Sequence, residues 1–389
     1  MIPMYIMPSR YEQLVDAVQG YQQTGVPLVA AQGARLYPAG YADDAGIYYF
    51  IPKLVSWLGI TAKQAVDLFF AGTAALAIIA ALMGFFMLYR QWNQRIFALL
   101  VLSGSSYMAL RNGDVYIISF FVVVAVVPWV LLAARSHEGS VSVYLIFPAV
   151  SFLVSIAHIV RSHSGTGILV FTGVLFLFFM KIRDKTKAVL LLLMILTALV
   201  PILFFSHVVS ERNEYLIRLD PSVDIADGMH PFWHSVYIGL GFIDNPYVDK
   251  YLDEVAMGKV KSRDPNARFI SPEYANILRH ETIMIIRENP KFILMNIAAK
   301  GGVIFLYFII FANIGLVAAY LFRKPFPMDL AFLLGMFFNS LFGIAVVPYT
   351  NYLLGFVAFA SLYCIVSVTH ALDKRTIGEL ASNFLHKQA

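Results

Sequence analysis

Residues 188–206 of the chain read AVLLLLMILTALVPILFFS, a run without a single charged side chain. An α-helix needs about 20 predominantly apolar residues to cross the hydrocarbon core of a bilayer, so this stretch predicts a membrane-spanning helix. The rest of the chain has the same character. Hydrophobic residues make up 59% of the 389 residues and charged residues only 14%, whereas a soluble domain carries about 25% charged residues. The composition therefore excludes a soluble protein.

Eight further stretches share this pattern. Together they predict an all-α polytopic transmembrane protein with nine spanning helices and with amphipathic helices in two outer segments. Two of the nine stretches are short. The side of the membrane that each later loop faces depends on whether both of them cross. The predicted spans are Leu68–Tyr89, Ile96–Leu110, Val115–Ala134, Val141–Val160, Ile168–Met180, Ala188–Ser206, Gly301–Phe322, Leu330–Pro348 and Leu353–Leu372.

The lysine and arginine residues of the short loops predict the orientation. Twelve cations fall in one set of loops and in the C-terminal tail, whereas the opposite short loops hold only Arg111 and Arg161. Because cytoplasmic loops carry the excess of Lys and Arg, the C-terminus is predicted to be cytoplasmic. The predicted division is an outer first segment (1–67), six spans (68–206), an outer segment with an amphipathic helix (207–300), three spans (301–372) and a cytoplasmic tail (373–389).

Three other features narrow the class of protein. Met1–Arg10 is neither a signal peptide nor a spanning helix. Translocation of the first segment therefore requires either that the first spanning helix inserts with its N-terminus outside or that a further helix lies upstream of this sequence, and we expect the second. The net charge of +5 is spread over the loops, which excludes a nucleic-acid binder. The single cysteine, Cys364, excludes an intrachain disulfide and a cysteine zinc site.

The later outer segment is predicted to carry structure of its own, because it is too long for an ordinary loop. Ser271-Pro272-Glu273 is typical of a helix start, and apolar residues follow at helical spacing. We therefore expect an amphipathic helix over 272–288, lying on the outer leaflet. Shorter helices of the same kind are expected in the first segment, at Tyr11–Tyr21 and Ile47–Leu58.

The first outer segment contains the sharpest chemical motif, YPAGYADDAGIYYFIP at residues 37–52. Two adjacent carboxylates, Asp43 and Asp44, stand at the end of a loop rich in Gly and Pro, just before the expected interfacial helix. A carboxylate in this position can act as a general base toward a hydroxyl group, or it can bind a divalent cation through its oxygens. Capping of the following helix is the alternative that involves no chemistry.

A second cluster lies in the later outer segment, DGMHPFWHSVYIGLG at residues 227–241. His230 and His234 are four residues apart, as are Trp233 and Tyr237, so each pair shares a face of a helix. Imidazole groups can bind a phosphate or pyrophosphate leaving group, and aromatic rings can stack on a sugar. A zinc pair and an interfacial aromatic belt without chemistry are the alternatives.

A third cluster lies in a short outer loop, RSHSGTG at residues 161–167. It combines a cation, Arg161, with an imidazole, His163, and with hydroxyl groups. The loop precedes a predicted helix, and the free N–H groups at a helix start favour an anion. Arg161 and His163 are therefore predicted to bind a lipid phosphate. A snorkelling arginine in a flexible turn is the alternative.

Single residues of other outer loops are also candidates. Arg212 and Arg279 belong to runs of mixed charge and are predicted phosphate ligands, with a solvated helix face as the alternative. Asp114 is a candidate second acid or metal ligand, with an ion pair to Arg111 as the alternative. His158, one turn before the third cluster, is predicted to be a packed or hydrogen-bonded histidine of the core.

The motif of the first segment resembles that of the GT-C superfamily of polytopic membrane glycosyltransferases. In that family the first outer loop carries Asp-Asp or Asp-Glu, then an aromatic residue, then a Pro or a short interfacial helix. Here Asp43-Asp44 is followed by Tyr48, Tyr49 and Pro52. The resemblance extends to the many spans and to the late outer helix that ends just before the next span. The family has a spanning helix before this loop, which agrees with the expectation of an upstream helix.

The resemblance implies an enzyme that transfers a sugar from a polyprenyl-phosphate donor to a lipid, glycan or protein acceptor. It implies Asp43 or Asp44 as the base, with the active site on the periplasmic face of a bacterial inner membrane, in cell-envelope glycan biosynthesis. A divalent cation is left open as a cofactor. One alternative is a polysaccharide polymerase or ligase with a lipid-diphosphate donor, which would depend on Arg161, Arg212 and His230. The other is a non-catalytic membrane subunit or a transporter.

Overall fold

A computed structural model describes residues 6–40, 43–136, 140–221, 223 and 232–373. Across these residues the chain is almost entirely helical, with one two-stranded hairpin. The strands are β1 (Val29–Gln32) and β2 (Arg35–Pro38). The helices are α1 (Pro8–Thr24), α2 (Ala45–Leu58), α3 (Ala62–Leu88), α4 (Trp92–Arg111), α5 (Ile117–Arg135), α6 (Val141–Val160), α7 (Thr166–Val174), α8 (Asp184–Leu219), α9 (Phe232–Gly239), α10 (Asp253–Arg263), α11 (Pro272–Glu288), α12 (Pro290–Leu321), α13 (Phe326–Ala345) and α14 (Leu354–Asp373).

In the described part of the chain, seven helices are long and apolar enough to cross a membrane, as in an all-α polytopic membrane protein. They are α3, α5, α6, α8, α12, α13 and α14. The two short predicted spans lie in α4, which begins with the polar run Trp92-Asn93-Gln94-Arg95, and in α7, which continues as a π-helical turn, Leu175–Phe179. Whether these two helices cross the membrane stays a prediction.

Helix α8 extends well beyond the span predicted for it. The apolar run stops at Ser206, yet the helix continues to Leu219, because the polar residues that follow are compatible with a helix. His207 and Glu211, one turn apart, pair across this part at 3.3 Å. The first proline beyond the span is Pro221, and the helix ends just before it.

The chain divides into two compact units. Unit 1 contains residues 1–66, 206–306 and 340–353, and unit 2 contains residues 67–205, 307–339 and 354–389. Each unit therefore combines stretches that are far apart in the sequence. The predicted outer segments 1–67 and 207–300 fall almost wholly in unit 1.

Helices α5 and α14 form the centre of unit 2. Of the most apolar stretch of α14, 89% is buried inside the protein. The buried share is 72% for the corresponding stretch of α5 and 11% for that of α8. Helix α14 packs on α4 and α5, and α5 packs on α6. The approach of α12 to α14 depends on a small residue: a Cβ atom at Gly315 would lie 2.4 Å from the Cα atom of Cys364. Small residues allow such close helix packing inside membranes.

The first segment of unit 1 folds around α1, which packs on β1 and on α2. A Cβ atom at Gly20 would lie 2.2 Å from the carbonyl oxygen of Val29, so the backbone of β1 rests directly on the helix. Tyr48 of α2 is fully buried and donates a hydrogen bond to Gln13 Oε1 of α1 at 2.8 Å. Helices α1 and α2 contain the two shorter helices expected here, whereas the hairpin was not predicted.

Helices α9, α10 and α11 form a second part of unit 1 around a common apolar core. Helix α11 has the predicted bounds, and the Ser271 side chain caps it by accepting a hydrogen bond from the Tyr274 N–H group at 3.2 Å. Its position on the outer leaflet stays a prediction. The core residues are Tyr237, Ile238, Leu240, Val248, Ala256, Val260, Ala267, Tyr274, Leu278 and Ile285.

A buried carboxylate connects α10 to α11. Glu281 is 3% exposed and contacts Lys259 Nζ at 2.9 Å and Arg263 Nη2 at 2.7 Å. Burial alone would raise the pKa of Glu281, but the hydrogen bonds from Lys259 and Arg263 outweigh it and hold this pKa below its usual value. Glu281 therefore stays ionised at neutral pH and links the two helices.

Replacing Gly40 by Ala should destabilise the first segment more than replacing Gly33 by Ala. Both glycines have positive φ, +75° and +63°, and an L-residue there costs about 1–2 kcal/mol. A Cβ atom at Gly40 would also lie 2.2 Å from the Tyr48 ring, whereas one at Gly33 meets nothing within 4 Å. Overpacking adds about 1–3 kcal/mol. Thermal unfolding of the purified protein measures both variants, and equal losses would contradict the predicted contact with Tyr48.

Replacing Glu281 by Gln should lower the stability by about 1–3 kcal/mol at pH 7. Because the folded pKa of Glu281 is lowered, its contribution is complete above the unfolded value of about 4.3 and is lost as the pH falls through the folded value. The difference between wild type and variant should therefore shrink below about pH 4. Thermal unfolding across pH checks this, with the exposed Glu288→Gln as control. A difference that stays constant down to pH 3 would refute the linkage.

Candidate functional site

Asp43 and Asp44 lie in unit 1, at the start of α2. Asp44 is completely buried and Asp43 is 7% exposed. Asp44 occupies the N-cap position of α2, but its side chain makes no capping hydrogen bond. It forms an ion pair with Arg10 of α1. The capping alternative therefore does not explain Asp44, which is instead one half of a buried ion pair.

The Asp44 carboxylate is occupied by the Arg10 guanidinium. Asp43, next to it in the sequence, is almost as deeply buried. Which of the two aspartates acts as a base stays a prediction.

His234 is also in unit 1, where both of its ring nitrogens are engaged. Its side chain is 7% exposed, with Nδ1 at 2.7 Å from the Tyr274 hydroxyl and Nε2 at 3.0 Å from Asp253 Oδ1. Because a carboxylate only accepts, Nε2–H donates to Asp253 and the Tyr274 hydroxyl donates to Nδ1. The bond to His234 lowers the pKa of Asp253, and burial raises that of Tyr274.

These bonds connect α9 to α10 and α11, so His234 has a positioning role within unit 1. To contact a phosphate, His234 would have to give up its bond to Tyr274 or to Asp253. This contact stays a prediction. His230, the other imidazole of the cluster, lies outside the described residues.

The remaining candidates of unit 1 have protein partners. Tyr237 is a core residue, 2% exposed. Trp233 packs on the same core, and the exposed Arg279 guanidinium lies 5.9 Å from its ring centroid. Arg212 is 3% exposed and donates from Nε and Nη2 to Asn213 Oδ1 at 2.9 and 2.7 Å. Their predicted roles toward a sugar or a phosphate are untested by this geometry.

The third cluster lies in unit 2. The Arg161 side chain is 6% exposed; its guanidinium lies 4.4 Å from the centroid of the Tyr116 ring and donates to the Tyr116 hydroxyl at 3.3 Å. A second bond, from Ser119 to Ser164 at 3.0 Å, connects the same two parts of the chain. The loop that follows α4 and the loop that follows α6 are therefore joined.

Both loops contain residues with a strained backbone. Asp114, 2% exposed, has a φ of 65°, and His163 has a φ of 66°. Non-glycine residues in this conformation cost of order 1–3 kcal/mol and cluster at functional sites. The structure thus places Asp114, Arg161 and His163 in one pair of joined loops, all within unit 2.

The expectation that His158 lies in the core is wrong, because this residue is exposed. The expectation that it is hydrogen-bonded agrees with the structure: its Nδ1 accepts the backbone N–H of His163 at 3.1 Å. Arg111 lies 5.9 Å from the centroid of the Tyr107 ring, and its ion pair with Asp114 stays a prediction.

A cavity of about 840 Å³ opens in unit 1 beside the hairpin. Its wall combines cations and a phenol with apolar side chains and includes Arg35, Tyr37, Leu216, Asp220 and Arg268. Burial and the hydrogen bond that Tyr37 donates to Asp16 Oδ2 at 2.6 Å raise the pKa of Tyr37 to about 12, so the phenol stays protonated. Sequence reasoning missed Arg35 and Arg268, because neither belongs to a recognisable motif.

A divalent cation was left open at Asp43 and Asp44. Among the described residues, no group of three or more His, Cys, Asp or Glu side chains is arranged to hold a metal ion. Cation binding at the carboxylate pair stays a prediction.

No protein-family model and no curated protein matches the chain. Among solved structures, the chain is similar to the crystal structure of ArnT from Cupriavidus metallidurans in the apo state. The sequence identity is 14%, the match covers 95% of this chain and 73% of that chain, and the TM-score is 0.40. A likeness at this level assigns neither an activity nor site residues, so the function proposed below rests on the residues of this chain.

Proposed function

We propose that the protein is a membrane glycosyltransferase of GT-C type, which transfers a sugar from a polyprenyl-phosphate donor to an acceptor hydroxyl at the outer face of the membrane. The observation that carries the proposal is the carboxylate pair Asp43-Asp44. Asp44 is buried, is paired with Arg10 and does not cap α2. A buried ion pair is weak evidence for a stabilising role, so the carboxylate pair is a candidate for a functional one.

In this proposal the two aspartates have different roles. Asp43 accepts the proton of the acceptor hydroxyl while that oxygen attacks the anomeric carbon of the sugar. The bond between the anomeric carbon and the phosphate oxygen breaks, and the polyprenyl phosphate leaves with the electron pair. Asp44, held by Arg10, positions Asp43.

Fixed cations would stabilise the charge that develops on the departing phosphate. Arg212 is the proposed cation of this kind in unit 1, because it is buried and held by Asn213. Arg161 and His163 stay proposed phosphate ligands in unit 2, and the buried Arg161 guanidinium is held in place on Tyr116.

The cavity beside the hairpin is the proposed acceptor site. It adjoins Tyr37, which lies six residues before Asp43 in the sequence. Its protonated phenol and the guanidinium groups of Arg35 and Arg268 suit a hydroxyl-rich acceptor with an anionic substituent.

The polysaccharide polymerase or ligase is the second candidate function. The burial of Arg161 and Arg212 favours it, because an enzyme with a lipid-diphosphate donor would depend on such cations. It would not need Asp43 or Asp44. Substitution of the aspartates therefore separates the two functions.

Replacing Asp43 by Asn should reduce sugar transfer by about 10²- to 10⁴-fold, the usual contribution of a general base, with little change in thermal stability. Replacing Asp44 by Asn leaves Arg10 without its partner and should cost about 3–5 kcal/mol of stability. Glu12→Gln, which neutralises an exposed carboxylate of α1, is the matched control. Transfer is measured in proteoliposomes supplied with a panel of polyprenyl-phosphate monosaccharides.

Full transfer by both aspartate variants would show that neither residue is the base. If lipid-diphosphate donors are then used, the polymerase or ligase replaces the present proposal. Transfer from no donor of the panel by the wild-type protein would count against the glycosyltransferase itself.

A further inference from the structure

Lys300 is a buried cation in α12 that belongs to none of the clusters described above. Its side chain is 1% exposed. The contact that the structure gives its ammonium group is the Phe242 ring, whose centroid lies 6.0 Å from Nζ. Among the residues that the structure describes, no carboxylate pairs with it. The charge of Lys300 is therefore enclosed by protein with only an aromatic ring beside it.

Such a charge requires compensation. Removing an ammonium group from water costs several kcal/mol unless an opposite charge accompanies it, whereas a ring face contributes only about 0.5–2 kcal/mol. Ionisable residues of membrane helices that face the protein interior usually mark the path or the site of a substrate or ion. An anion that binds next to Lys300 would supply the missing charge.

The position of Lys300 along α12 indicates which anion. The helix has 32 residues and is about 48 Å long at 1.5 Å per residue, whereas about 20 residues cross the hydrocarbon core. Counted back from Leu321, such a span begins close to Gly302. With the orientation predicted from the loop charges, this count places Lys300 at the outer edge of the hydrocarbon core, the depth at which the phosphate groups of lipids lie.

The surroundings hold Lys300 and Phe242 in place. Asn296, one helical turn before Lys300, is 2% exposed and donates to the carbonyl oxygen of Leu240 at 3.0 Å. This bond fastens the turn that contains Phe242 to α12. On its other side the turn is close-packed, since a Cβ atom at Gly239 would lie 2.5 Å from the carbonyl oxygen of Val346. The turn that carries the Phe242 ring beside the ammonium group is therefore held in place on both sides.

There is also room for an apolar chain beside Lys300. The next two residues are glycines, and a Cβ atom at Gly301 or Gly302 would meet no atom within 4 Å. The helix surface is therefore smooth and open directly after the buried cation. A ligand with a phosphate group and a long hydrocarbon chain fits this combination better than a free anion does.

We propose that Lys300 binds the phosphate group of a polyprenyl phosphate, with the first isoprene units lying along Gly301 and Gly302. This inference rests on the proposed function and deepens it, because it names a ligand for the lipid phosphate that serves as the leaving group. Lys300 forms no bond to the sugar and takes part in no proton transfer. Its role is to hold the carrier.

The test compares binding by the purified full-length protein in detergent. Three compounds are added separately: polyprenyl phosphate, the corresponding polyprenol without phosphate, and inorganic phosphate. Thermal stabilisation as a function of concentration gives the affinity. We expect polyprenyl phosphate to stabilise the wild-type protein far more than the other two compounds.

Lys300→Met should weaken the binding of polyprenyl phosphate by roughly tenfold to a hundredfold, the usual value of a hydrogen bond to a charged group. The stability without ligand should be unchanged or higher, because a buried charge is replaced by an apolar side chain of similar volume. Lys300→Arg keeps the charge and should retain binding. Lys291→Met, an exposed lysine in the first turn of the same helix, is the matched control. Lys300→Gln is the second variant if Lys300→Met does not fold, and the same loss is expected of it.

Unchanged binding by Lys300→Met or Lys300→Gln would overturn the role of Lys300, while the transfer assay of the Asp43 variants still decides the proposed function separately. Equal stabilisation by inorganic phosphate would show a site for a free anion and would overturn the role of the lipid chain. Stabilisation of the wild type by none of the three compounds overturns this inference, and transfer from a polyprenyl-phosphate sugar then shows whether the proposed function survives.

Discussion

The buried ion pair between Arg10 and Asp44 is the interaction on which the first segment of unit 1 depends. Arg10, Gln13 and Asp16 follow one another at intervals of three residues and so lie near one face of α1. Each binds a residue of a neighbouring element: Arg10 pairs with Asp44 at the start of α2, Gln13 accepts from Tyr48 inside α2, and Asp16 accepts from Tyr37 of β2. One polar helix face thereby positions the loop that carries Asp43.

Much of the fold follows from local sequence patterns. Helix α11 has its predicted bounds because Ser271 and Pro272 mark its start through backbone chemistry that acts within a few residues. The hairpin was missed because each strand has four residues, with a register of Gln32 opposite Arg35 around Gly33-Ala34. Strands so short are stabilised by packing on α1, a contact that no local pattern reveals.

The candidate site was predictable only where its residues are adjacent in sequence. Asp43 and Asp44 stand out as a motif, but the Arg10 partner does not. His234 was paired in sequence with His230, yet its partners in the structure are Asp253 and Tyr274, which lie 19 and 40 residues away. Lys300 was passed over because a lysine near the end of a span normally extends its ammonium group to water. Only the three-dimensional structure distinguishes that case from a lysine enclosed by protein.

The close approach of Gly315 to Cys364 has a consequence for measuring the orientation of the chain. Cys364 is the only cysteine, and it is buried in α14 beneath a helix that leaves no space for a larger neighbour. A water-soluble maleimide reacts with accessible thiolates and so does not reach it. The unmodified protein is therefore not labelled. When a single cysteine is introduced into a loop, its labelling in intact cells shows on which side of the membrane that loop lies.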